Sequence, residues 1–194
     1  MNHFLFSTEL TRKDKLVLNF MKMRNQFGPY EFNFLPESYV LPDELAEFKQ
    51  AFHANQQLVK SRTQTESKQT GKGVDNEGHY TDNVWIIKPA HSSRGRGIFL
   101  MSDLNDLPSF QNPQSAKDDL FVVSKYISNP LLINGFKFDL RIYVLVTSVD
   151  PLKIYIYNEG LVRFASEPYK TGKKNSKYSH LTNYSINKKN ENFV

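Results

Sequence analysis

From Phe136 to Val146 the even positions are all apolar, Phe136, Phe138, Leu140, Ile142, Val144 and Val146, while Lys137, Asp139 and Arg141 stand between the first of them. A period of two is a strand and not a helix, because successive side chains on a strand point to opposite faces. The even face is therefore expected to lie against a core, and the odd face gathers two cations and a carboxylate. Two readings of that face are open. Opposite charges two apart on a solvated strand can pair with one another, or the charges can meet a polyphosphate that offsets the cost of burying them.

The remaining 183 residues must be compatible with that strand, and 39% hydrophobic content is enough for one or two domains with a real core. No apolar run approaches the roughly 20 residues of a membrane span, so no membrane partner is expected. The absence of cysteine excludes a disulfide framework and thiolate chemistry and fits a reducing compartment. The sequon-like Asn183-Tyr184-Ser185 is accordingly read as fortuitous. The net charge of +5 resides beyond Leu161, where seven basic residues (Arg163, Lys170, Lys173, Lys174, Lys177, Lys188 and Lys189) face only Glu167 and Glu191. Such a tail suits an acidic partner. No RNA-binding aromatic signature or zinc-finger spacing supports nucleic acid.

Leu16, Phe20, Met23 and Phe27 recur at helical spacing and predict a helix with this stripe in the core, ended by Gly28-Pro29. A second helix is expected after Pro42-Asp43-Glu44, with Leu45, Phe48 and Phe52 on one side. From about Asn55 to Asn83 the polar composition predicts a disordered insertion, which closes an N-terminal helical part over 1–83. Val84-Trp85-Ile86-Ile87 and Ile98-Phe99-Leu100 read as strands flanking His91-Ser92-Ser93-Arg94-Gly95-Arg96-Gly97, a turn able to bring backbone N–H groups against phosphate. No Gly-Lys-Ser/Thr follows at the spacing of a P-loop, and a plain basic hairpin also fits. His91 reads as a loop residue, with no second ligand at metal spacing. Another strand is predicted over Leu120–Ile127. After the central strand, Asp150-Pro151 predicts a turn and Asn158-Glu159-Gly160 a second one, giving a meander of strands with Arg163 in the last.

Taken together, Trp85-Ile86-Ile87-Lys88-Pro89, Ser92-Ser93-Arg94-Gly95-Arg96-Gly97, Ser124-Lys125-Tyr126-Ile127, Lys137-Phe138-Asp139-Leu140-Arg141 and His180-Leu181-Thr182-Asn183-Tyr184-Ser185 resemble the tubulin-tyrosine-ligase-like family. Asn2-His3-Phe4, Glu9-Leu10-Thr11-Arg12-Lys13-Asp14 and Asn129-Pro130-Leu131-Leu132-Ile133 look most like its polyglutamylases. The resemblance implies an α/β (α+β) architecture of the ATP-grasp type, incomplete at its C-terminus, with residues 84–194 forming the central region and the start of a C-terminal subdomain. It implies ATP as cofactor: Lys88 on the α/β-phosphates, Arg94, Gly95, Arg96 and Gly97 over them, Ser124, Lys125, Tyr126 and Ile127 around adenine, and Lys137 and Asp139 toward ribose and phosphate. Arg141 and Arg163 would face the γ-phosphate and the carboxylates of the incoming amino acid, Arg141, Arg163 and Lys137 being the catalytic set, with Thr182 and Asn183 closing the substrate side.

The implied reaction is ligation of free L-glutamate to γ-carboxylates in acidic tubulin C-terminal tails through an acyl phosphate, on microtubules of the cytoplasm, cilium or basal body, by a monomer. Preorganised cations stabilise the charge that accumulates in such a step. The family's Mg²⁺-binding carboxylates lie beyond the Thr182-Asn183 block, so none is assigned here and these residues alone are expected to be inactive. A truncated, non-catalytic tubulin- or nucleotide-binding paralogue and a related glycine or tyrosine ligase are the alternative readings.

Overall fold

The computed structural model describes residues 3–66, 83–93, 95–108, 120–170 and 176–193, with 62–66 as backbone alone. The chain divides into two compact units, Met1–Asn129 and Pro130–Val194, and both mix helices with antiparallel strands, the expected α+β composition.

In the first unit, α1 (Thr8–Thr11) and α2 (Lys13–Phe27) precede β1 (Ser38–Leu41), α3 (Leu45–Glu66), β2 (Trp85–Pro89), β3 (Phe99–Met101) and β4 (Phe121–Lys125). The four strands form one sheet in the order β1-β4-β2-β3, every neighbour antiparallel. Alternation then assigns the faces. Leu41, Trp85, Ile87, Met101 and Val123 turn to one side and join Phe48 and Phe52 of α3 in the main core. Val40 and Val122 turn to the other and meet Val17 of α2. Phe48 and Trp85, both fully buried, stack edge to face at 5.1 Å, a geometry worth about 0.5–1.5 kcal/mol beyond burial itself.

Three expectations are corrected here. The polar stretch after Asn55 is not disordered over its whole length: α3 runs on to Glu66, and residues 67–82 lie outside the described set. Asn55 is part of the fold, its amide donating to the Ala51 carbonyl at 3.0 Å while its carbonyl accepts from Lys125. The division at 83/84 fails with it, since it would cut the cluster that joins Phe48 and Phe52 to Trp85 and Val123. In α2 the apolar stripe is out of phase with burial. Val17 and Asp14 are its buried residues, whereas Met23 and Phe27 are exposed.

The second unit begins with β5 (Leu132–Ile133), β6 (Phe136–Val149) and β7 (Leu152–Phe164), a sheet in chain order. Asn134 and Gly135 have φ of 52° and 81°, the left-handed pair a type I′ turn requires. The predicted meander is instead one long hairpin, because Asn158-Glu159-Gly160 stays within β7 and the irregularity is absorbed as a register shift between Ile142 and Val144. Gly160 faces Ile142, and a Cβ there would lie 2.6 Å from the Arg141 carbonyl oxygen, so the residue read as a turn marker is a close-approach glycine. The even face of β6 is not a buried core face either. Leu140, Ile142 and Val144 are 56–57% exposed, although Phe138 does pack on Phe164 at 6.0 Å. The short helices α4 (Lys177–His180) and α5 (Tyr184–Asn187) complete the unit.

Candidate functional site

The residues expected to act together fall in both units, and each group is built separately. In the first unit the sheet pairing puts Lys88 opposite Val122 on the α2 side of the sheet. Its ammonium is half-buried and forms no ion pair with a carboxylate among the described residues. Burial, and after it the charge of Lys13, holds its pKa below the ordinary lysine value. The turn beyond β2 closes through the Arg96 amide on the Ser93 carbonyl at 3.3 Å and the Ile98 amide on the Gly95 carbonyl at 3.4 Å. Gly95 and Gly97 have φ of 75° and 69°. At Gly97 a side chain is excluded twice, by that φ and by Pro89, whose Cγ would stand 2.8 Å from an added Cβ. Arg94 lies outside the described residues; Arg96 is exposed.

The Ser124–Ile127 group does not present one face. The Ser124 hydroxyl accepts from Ser38 Oγ at 2.9 Å on the Lys88 side of the sheet. Lys125 turns to the opposite, α3 side, where its ammonium lies 4.9 Å from the centre of the Trp85 ring and donates to Asn55 and Asn83 at 3.3 Å each. Lys125 is 7% exposed and serves this packing, and the alternation of the strands puts its side chain on the face opposite that of Lys88. The backbone of the segment continues the strand spacing, the Lys125 amide on the Glu37 carbonyl at 2.8 Å and the Tyr126 amide on the Val84 carbonyl at 3.0 Å. Ile127, just past β4, is 47% exposed.

In the second unit Lys137, Asp139 and Arg141 occupy one side of β6, and the register sets Asp139 opposite Arg163. The carboxylate takes both arms of the Arg163 guanidinium, Nε at 2.7 Å and Nη2 as the second contact. That bond raises the Arg163 pKa further, with burial opposing it. Asp139 thus pairs across the hairpin, and neither of its neighbours two residues away is its ion-pair partner. Arg141 is exposed and forms no ion pair among the described residues. Lys137 lies near α4, where burial and then its charge push the His180 imidazole down to about 4. Thr182 is 9% exposed and, with Arg163, Phe136, Ala165, Tyr184 and Phe193, lines a concavity of about 730 Å³. Lys137, Asp139, Arg141 and Asn183 are not among its lining residues. Arg141 borders a different one of about 410 Å³ beside Gly160. The two arginines expected on one substrate therefore border separate hollows.

Two supporting residues were given no role by the sequence, although Lys13 stands in one of the blocks that carry the resemblance. Asn187, fully buried, donates to the carbonyls of Leu181 at 2.6 Å and Asn183 at 3.1 Å and accepts from the Ser166 amide at 2.9 Å and hydroxyl at 2.7 Å. It uses its whole hydrogen-bonding capacity to fix the backbone on both sides of Thr182. Lys13, at the start of α2, reaches the backbone just beyond Lys88 through contacts 76 to 79 residues apart in sequence. No periodicity connects such positions; only paired substitutions across relatives could have shown them.

The tubulin-tyrosine ligase family profile matches residues 1–193. The chain is 43% identical over 196 residues to the tubulin polyglutamylase TTLL5 of Mus musculus, a match that takes in all of this chain and 12% of that protein. It is 42% identical over 196 residues to a probable beta-tubulin polyglutamylase of Tetrahymena thermophila, with 14% of that protein covered. With the tubulin monoglutamylase TTLL4 of Mus musculus it shares 39% over 195 residues, again 14% of the relative. The chain thus spans roughly an eighth of the length of these relatives. A match running unbroken from the first helix to the residues around Thr182 places the chain in the tubulin-tyrosine ligase family.

Proposed function

We propose that this chain is the nucleotide-handling part of an ATP-dependent ligase of the ATP-grasp type that joins glutamate to glutamate side chains of tubulin tails. The observation that carries the reading is Lys88: a half-buried ammonium without a carboxylate partner among the described residues, beside a turn whose glycines free backbone N–H groups. A desolvated, uncompensated cation of this kind is an anion site by its energetics. The names of the relatives supply the substrate class.

ATP, when bound, supplies the phosphoryl group that activates a carboxylate for amide formation. Lys88 and the amides around Gly95 and Gly97 would neutralise and orient its phosphates. Arg163, held by Asp139, presents a fixed guanidinium to the Thr182 side, and the exposed Arg141 offers a second cation for carboxylates of the amino acid or the tail. Mg²⁺ is assigned no residue and no step here. Lys170 and Lys177 belong to the basic stretch suited to acidic tails; Lys173 and Lys174 lie outside the described residues.

Titration calorimetry with ATP on the 194-residue chain tests the reading. Lys88→Met should weaken binding by at least tenfold, the loss of about one charge-assisted contact. Equal affinity of the two proteins would remove the basis for a nucleotide site. In a chain extended to the length of its relatives, Arg141→Ala should abolish glutamate transfer without lowering the unfolding midpoint.

A further inference from the structure

The segment that leaves β2 is held from outside the sheet. Lys13 Nζ donates to the carbonyls of Pro89 at 3.1 Å and Ala90 at 3.4 Å and also to that of Ser92. An ammonium has three protons, so these three carbonyls occupy all of them. We infer that Lys13 is a positioning residue: by holding these carbonyls against α2 it fixes the exit of β2 and with it the placement of the Gly95–Gly97 turn beside Lys88, where the two would meet phosphate. The inference rests on the nucleotide reading for its consequence and on geometry alone for the clamp.

The peptide unit supplies the lever. Its C=O and N–H point in opposite directions across a rigid plane. With the Ala90 and Ser92 carbonyls aimed at Lys13, the His91 and Ser93 amides aim away from it, and among the described residues neither has a backbone acceptor. The Ala90 amide is committed to the Leu120 carbonyl at 2.8 Å, which ties the start of the segment to the sheet. A second tether comes from the residue before Lys13. Arg12 grips the buried Asp14 through contacts of 3.1 and 2.7 Å and places Nη2 3.4 Å from His91 Nε2. Burial pushes the Asp14 carboxyl up, but the Arg12 hydrogen bond and the Lys15 amide more than offset this, so it stays ionised and keeps Arg12 in place. Lys13 is too committed to carbonyls to touch a ligand itself. It acts through the loop, and its charge adds to the positive potential around Lys88.

The test uses the whole chain and compares wild type, Lys13→Met, Lys13→Arg and Lys88→Met by hydrogen–deuterium exchange without nucleotide and by calorimetry with ATP and AMP. Lys13→Met keeps the apolar stem and removes the donors. Expected are faster exchange confined to residues 89–98, about tenfold weaker ATP binding and a smaller loss, below about threefold, for AMP, which keeps only one of the phosphates under the loop. Lys13→Arg, which still donates to carbonyls, should recover most of both effects. Lys88→Met should lose ATP affinity with normal exchange. If Lys13→Met leaves exchange over 89–98 unchanged, or weakens ATP and AMP equally, the positioning role is overturned. Should Lys13→Met fail to fold, Lys13→Arg decides: wild-type exchange and wild-type preference for ATP over AMP uphold the role, and loss of either overturns it. Indifference of ATP binding to Lys88→Met, alongside released exchange in Lys13→Met, would sink the nucleotide reading and leave the clamp standing.

Discussion

Replacing Gly97 by alanine imposes two separable costs. Its φ of 69° is in the left-handed region, where an L side chain costs about 1–2 kcal/mol. The new Cβ also arrives 2.8 Å from Pro89 Cγ, and the ring cannot easily yield because Pro89 is in β2 and paired with Phe121 of β4. Overpacking of this kind adds about 1–3 kcal/mol, so Gly97→Ala should destabilise the first unit by about 2–5 kcal/mol. The only tryptophan, Trp85, is fully buried in the same strand, and its fluorescence reports urea unfolding of that unit directly. With a slope of about 2 kcal/mol per molar urea, the midpoint should fall by roughly 1–2.5 M. Repeating the substitution in a Pro89→Ala background removes the ring and should leave the backbone cost alone, a coupling of about 1–3 kcal/mol. If Gly97→Ala costs the same in both backgrounds, the turn is not held against Pro89 of β2, and sterics do not fix the loop.

Phe48→Ala should cost about 3–5 kcal/mol in the same fluorescence assay, whereas Leu140→Ala, at a position 57% exposed, should cost less than about 1 kcal/mol by thermal unfolding; a large loss at Leu140 would mean that something covers β6. A double-mutant cycle on Asp139→Ala and Arg163→Ala should give a coupling of about 0.5–1.5 kcal/mol, reduced from that of a buried pair by solvent on both side chains, and a coupling near zero would show the bidentate contact to be energetically idle. His180 titrates near 4 in the folded protein against an ordinary 6.5, so the unfolded chain takes up its proton first. Stability from this residue is complete above pH 6.5 and falls as the pH drops toward 4, by up to about 3 kcal/mol. His180→Phe should flatten that part of the pH profile; an unaltered slope would assign it to other groups.

What could be read in the sequence follows how far each signal reaches. β2 and β4 stood out because short apolar runs buried inside a sheet need no partner to be recognised, and Leu45, Phe48 and Phe52 mark α3 by spacing alone. β1 did not: four residues between Pro36 and Pro42 look like a connection until Phe121–Lys125 arrives to pair with them. Polar composition hid the second half of α3, because Gln, Lys and Arg sustain a helix already nucleated by a packed first half. Asn158-Glu159-Gly160 is a good turn signal that pairing with β6 overrode, while Asn134-Gly135, an equally good one, was the turn that formed. Alternation along β6 gave the side of each residue but could not say what covers it. The same limit applied to the site: alternation singled out Asp139, place in the last strand singled out Arg163 and the resemblance Lys88, yet the Asp139–Arg163 bond and the turning of Lys125 away from Lys88 depend on which strands are neighbours.

The order β1-β4-β2-β3 also has a consequence in time. The β6–β7 hairpin can zip outward from Asp150-Pro151, and β2 can meet β3 as soon as residue 101 exists, but Ser38 must wait for Ser124, 86 residues later. At a synthesis rate of about 5–20 residues per second, the nascent chain carries β1 and α3 for roughly 4–17 s before the strand that seats them leaves the ribosome. Until β4 is made, Leu41, Phe48 and Phe52 have at most the β2–β3 pair to pack on and β1 has no neighbouring strand, so the N-terminal half exposes apolar side chains until residue 125 has emerged.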